Sequence, residues 1–119
     1  SQFGELIRFA HSLGKAMGLA VHCYGHAGDG NLHSEIIGYR DDPEQFARAQ
    51  AATDRIIDYG IDLGGTIAGE HGIGLAKREF LAEEHGPSLQ LMRSIKRLFD
   101  PKGIMNPGKI FLEEAGTLG

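Results

Sequence analysis

The sequence predicts an α+β fold in which an antiparallel hairpin packs with several helices. Three observations carry this expectation. Apolar residues recur at helical spacing in several separate stretches. Two short, mostly apolar runs, residues 19–24 and 32–37, flank a loop built from Gly-Asp-Gly-Asn. Glycine is abundant, at 18 of 119 residues, and clusters at 25–30 and 64–74. The first pattern marks helices, the second a pair of strands and the third irregular connections.

Phe3, Leu6, Ile7, Ala10, Leu13 and Met17 share one face of an amphipathic helix over residues 3–17, which Gly18 ends. Hairpin strands follow near 20–26 and 32–38. Asp42-Pro43-Glu44-Gln45 starts the next helix. Asp42 can cap it, the fixed φ of Pro43 suits the first helical position, and Gln45 stands where a capping box needs it. Phe46, Ala49, Thr53, Ile56, Gly60 and Leu63 continue the stripe to Gly64-Gly65. Residues 64–74 hold too much glycine for a regular helix. A helical pattern resumes near Leu75 and runs to Glu84. Another starts near Pro87, with Leu91, Ile95 and Leu98 on one side and Met92 and Phe99 adjoining. Asp100-Pro101 closes it, because the residue before a proline is pushed out of the helical region. Residues 102–119 show no period, and the last of them are expected to fray.

The bulk properties bound the function. A chain of 119 residues is one domain or part of one. The net charge of −4, with no long basic run, argues against nucleic acid or an anionic membrane as partner. The single cysteine, Cys23, excludes an internal disulfide, fits a reducing cytosol and reads as a small apolar strand residue. No stretch is long and apolar enough to span a bilayer, and no signal peptide is visible, so a cytoplasmic location is expected. The chain enters a helical pattern almost at Ser1, which leads us to expect further sequence upstream.

His26 and His33 bracket the glycine-rich loop. Residues that flank a hairpin loop as partners share a face, with Cβ atoms about 5 Å apart. Two neutral imidazoles held that way can grip one metal ion. A plain turn with incidental histidines fits the same residues. Glu70-His71 is embedded in glycines, which let backbone come close to a ligand. Neighbouring side chains diverge, so at most one of the two would ligate the metal and the other would face a substrate. Two imidazoles and one oxygen leave a coordination position open. The plainer alternative is an exposed helix N-terminus, with Glu70 favoured there by the dipole. Asn106-Pro107-Gly108-Lys109 offers an amide and a cation to a cofactor, or forms a surface turn. His22 shares a strand face with Tyr24 and His26, while His11, His85, Lys77-Arg78 and Lys96-Arg97 read as solvated. The run 69–74 lacks the preceding strand and the Lys-Ser/Thr of a phosphate loop.

Three motifs stand in order: His26-Ala-Gly-Asp-Gly-Asn-Leu-His33, then Gly65-Thr-Ile-Ala-Gly-Glu-His-Gly-Ile-Gly74, then Phe99-Asp-Pro-Lys-Gly-Ile-Met-Asn-Pro-Gly-Lys109. Together they resemble the C-terminal domain of FAD-linked oxidases of the vanillyl-alcohol oxidase type, nearest to glycolate oxidase FAD subunits and D-lactate or D-2-hydroxyglutarate dehydrogenases. The resemblance covers the chain to about Phe111. It implies part of a ferredoxin-like cap domain spanning residues 1–119, with the N-terminal FAD-binding domain absent and this chain alone inactive. It implies oxidation of a small 2-hydroxy acid, of the glycolate or D-lactate class, to the 2-oxo acid. His26, His33 and Glu70 then match the ligands of a divalent metal, zinc or manganese. His71 matches the catalytic base, and Asn106 and Lys109 match residues near the flavin. Where several relatives carry asparagine near the substrate, this chain has Glu35, which leaves the substrate's identity open. The implied partners are the substrate, the chain's own FAD domain and an iron–sulfur or other electron-transfer subunit, which would place the protein at the membrane periphery in a complex. The competing class is a non-catalytic metal-binding or interaction module, with a structural zinc on the hairpin.

Overall fold

The computed structural model describes residues 1–111, in two compact units, Ser1–Glu70 and a second from His71 onward. The expectation of a frayed end falls on residues 112–119, outside those described. The fold is α+β as expected, with four helices and one two-stranded antiparallel hairpin among the described residues.

In the first unit, helix α1 spans Gln2–Met17, strand β1 Ala20–His26, strand β2 Asn31–Ile37 and helix α2 Pro43–Asp62. Ser1 Oγ caps α1 by accepting from the Gly4 N–H, and Gly18 ends it in the left-handed conformation with φ 66°. The apolar face of α1 meets that of α2 and the inner face of the hairpin. Ala10, Leu13, Leu19, Ala49, Ala52 and Ile56 form the buried core, with Leu6, Phe9, Met17, Val21, Cys23 and Ile36 packed around it. At its edge the Phe9 and Tyr59 rings stack at 4.1 Å, and the Tyr59 hydroxyl donates to Glu5 at 2.8 Å. That hydrogen bond, with burial and the Glu5 charge, raises the Tyr59 pKa.

Asp42 caps α2 as expected, accepting from the Gln45 N–H at 2.9 Å. The reciprocal half of the capping box is replaced. The Gln45 amide oxygen reaches past Asp42 and accepts from the Tyr39 N–H at 2.8 Å. The Asp42 N–H instead donates to the Tyr39 carbonyl.

In the second unit a 3₁₀ turn, Arg78–Phe80, leads into a short helix α3, Leu81–His85, and then α4, Ser88–Phe99. The single helix expected over residues 75–84 is therefore a turn, a 3₁₀ segment and one short α-helix. Leu81 is the one buried residue of these elements, so little packing supports a longer helix. The apolar stripe of α4 exists where its spacing places it, yet Leu91, Ile95 and Leu98 are exposed.

Candidate metal centre

The hairpin pairs Tyr24 with His33 and His26 with Asn31. The sequence suggested that His26 and His33 face each other directly. They are diagonal instead, because His26 pairs with Asn31, two residues before His33, and β2 starts at Asn31. The four-residue loop 27–30 then sets the register, closed by the Asp29 N–H to the His26 carbonyl at 3.0 Å. Both imidazoles nonetheless stand on one face, because side chains alternate along a strand. The opposite face carries Val21, Cys23 and Ile36 to the core, and this partial burial raises the Cys23 thiol pKa. On the outer face the Tyr24 ring stacks on His33 at 5.3 Å, and the His33 ring meets His26 edge-on at 5.9 Å. His22 and Glu35 are partners one step further along that face.

Glu70 reaches the imidazoles from the chain that follows α2. Ile67 is 8% exposed and anchors this segment. Gly69 then passes so close to Asn31 that a Cβ would overlap the Asn31 Oδ1 and lie 2.8 Å from its Cγ. The next residue delivers one carboxylate oxygen to each ring, Oε1 at 3.3 Å from His33 Nε2 and Oε2 at 3.7 Å from His26 Nε2. The ligand atoms of His26, His33 and Glu70 all lie within 4.8 Å of one another. Metal bonds of about 2.0–2.2 Å put two donors of one ion no more than about 4 Å apart. Both His–Glu pairs already meet that limit, and the two-nitrogen, one-oxygen donor set suits a divalent metal. The side chains of His26 and Glu70 are 58% and 46% exposed, so the group is open to solvent and to a small ligand.

His71 follows Glu70 in the chain and is exposed. The helix N-terminus considered for Glu70-His71 is not formed. The backbone is irregular from Gly64 to Lys77, and the first helical turn after it begins at Arg78.

In the second unit, Asn106 is exposed with φ 46°, and Lys109 Nζ donates to the Pro107 carbonyl at 3.0 Å. Two cations expected to be solvated are engaged here. Arg78 Nη1 donates to the Gly108 carbonyl at 3.1 Å, and Lys96 Nζ donates to Asp100 and to the Met105 carbonyl. His85, also expected to be free, contacts Glu84 at 3.4 Å. Asp100 is 6% exposed. The Lys96 hydrogen bond and the backbone N–H groups of Met105 and Ile104 lower its pKa against the opposing effect of burial. Asp100, Arg78, Asn31 and Tyr24 carried no separate signal in the sequence. Asp100 read only as a helix stop, and Asn31 only as part of a turn.

The chain belongs to the FAD-linked oxidases, whose C-terminal domain matches residues 1–110. It is 45% identical over 93% of its length to a mitochondrial D-lactate dehydrogenase [cytochrome] of Saccharomyces cerevisiae, of which it covers 19%. It is 38% identical over 92% to a D-lactate dehydrogenase of Archaeoglobus fulgidus, covering 24% of that protein. With the glycolate oxidase subunit GlcD of Bacillus subtilis the identity is 33% over 97%, covering 25% of the relative. The chain thus spans about a fifth to a quarter of the length of these relatives. No helix among the described residues is long and apolar enough to cross a membrane.

Proposed function

We propose that this chain is the C-terminal part of the cap of a flavin-dependent oxidoreductase that converts a small 2-hydroxy acid, of the D-lactate or glycolate class, to its 2-oxo acid. The reading rests on one observation above all: two imidazoles and a carboxylate from distant parts of the sequence converge on the open face of the hairpin. The names of the relatives supply the substrate class. His26, His33 and Glu70 hold a divalent metal, zinc or manganese. When bound, the metal supplies Lewis acidity that lowers the pKa of a coordinated hydroxyl. His71 takes the hydroxyl proton as general base, a task suited to an imidazole. Asn106 and Lys109 offer an amide and an ammonium group to the flavin, which supplies the hydride acceptor and is held mainly by a separate domain outside these residues. An electron-transfer partner, such as an iron–sulfur subunit, then reoxidises the protein.

Two substitutions in the complete protein separate these roles. His33→Ala is expected to remove both metal and turnover. His71→Ala is expected to keep the metal and lower kcat by about 10²–10⁴-fold, the usual contribution of a general base. Metal analysis beside a 2-hydroxy-acid assay with an artificial electron acceptor reads both. A His33→Ala protein with full metal and full rate defeats the proposal.

A further inference from the structure

Asp100 is buried, yet the chain around it is not held by apolar packing. Leu98 and Phe99 before it are 77% and 75% exposed, and Ile104 and Met105 after it are 74% and 59% exposed. Hydrophobic burial therefore contributes little to fixing the reversal that follows α4. The carboxylate does this instead. Its Oδ1 accepts from the Ile104 N–H at 2.9 Å, and its Oδ2 accepts from the Met105 N–H at 2.9 Å and from Lys96 Nζ. The same ammonium group donates to the Met105 carbonyl at 2.6 Å, so both polar groups of the Met105 backbone are tied to one ion pair. The Asp100 carbonyl accepts from the Gly103 N–H at 3.1 Å. Beyond the turn, Arg78 grips the Gly108 carbonyl. Between these anchors lies Asn106, the one non-glycine residue with positive φ among those described. Such a conformation persists where its neighbours over-determine it.

We propose that Asp100 is a positioning residue for the flavin: by clasping Ile104, Met105 and Lys96 it holds Asn106 and Lys109 in the arrangement they present to the cofactor. This rests on the flavin-facing role given to those two residues under the proposed function. The carboxylate's lowered pKa agrees with a clasp built to hold the charged form, since every partner is a donor.

The test uses the complete flavin-loaded protein and compares Asp100→Asn, Asn106→Ala and Lys109→Ala by the visible absorption of the flavin and its midpoint potential. Asp100→Asn should move both in the same direction as Asn106→Ala. It should lower kcat about tenfold with KM little changed, as a misplaced group does, and Asp100→Glu should restore part of the shift. If Asp100→Asn does not retain flavin, Lys96→Met weakens the same clasp and must move the absorption likewise. An unchanged flavin spectrum in the clasp variant, beside a shifted one in Asn106→Ala or Lys109→Ala, overturns the positioning role alone. An unchanged spectrum in both Asn106→Ala and Lys109→Ala defeats the flavin-facing reading and the positioning role with it.

Discussion

Glu70 can reach two imidazoles because the residue before it has no side chain. Gly69 lies against the Asn31 side-chain amide at the head of β2, and any Cβ there would have to push that amide aside or shift the segment that carries Glu70. Gly69→Ala should therefore displace Glu70 and weaken metal binding by about tenfold or more, as loss of a supporting contact around a ligand does. Metal titration of the wild-type and variant proteins reads this, with circular dichroism showing unchanged helix content. Equal affinity in the two proteins would remove Gly69 from the design of the site. The ligand candidates themselves could be read from the sequence, because histidine and glutamate among glycines announce their chemistry by residue type. Asn31 and Asp100 could not. Their contribution comes from where backbone passes, and neither composition nor spacing encodes that distance. Arg78 and Lys96 were misjudged for a related reason: a cation on a helix reads as solvated until the chain beyond it folds back to offer a carbonyl.

Helices α1 and α2 and the hairpin were readable in order and nearly to the residue, because each couples a buried stripe to explicit stop signals. The cap of α2 is the clearest of these. Asp42→Ala removes the acceptor of the Gln45 N–H and should lower stability by about 1 kcal/mol. Urea unfolding measures it, and an unchanged midpoint would mean that the exposed cap contributes nothing. The hairpin register differs by two residues from direct pairing of His26 with His33, which turns partners into a diagonal pair without moving either histidine off the outer face. Residues 75–84 were misread as one helix. A short helical period there has only Leu81 to bury, and Gly86, with φ 41°, follows directly after α3. Helix α4 shows the limit of periodicity in another way. Spacing tells which residues share a side; it does not tell whether that side is covered, and Leu91, Ile95 and Leu98 stay exposed.

Across the chain, chemistry and packing are divided. The first unit carries a six-residue buried core and the His26, His33 and Glu70 cluster on the outer face of its hairpin. Among its described residues the second unit buries little apolar surface and fixes the turn after α4 with a carboxylate and two cations. Membership of the FAD-linked oxidases places both units in a C-terminal domain. The relatives are four to five times longer, so substrate turnover has to be measured on the complete protein. The decisive experiment is a crystal structure of the protein loaded with zinc or manganese, with anomalous data collected at that metal's absorption edge. We expect one strong peak about 2.0–2.2 Å from a ring nitrogen of His26, a ring nitrogen of His33 and a carboxylate oxygen of Glu70. A metal-replete crystal in which the peak lies elsewhere, or in which His33 and Glu70 remain uncoordinated, would contradict it.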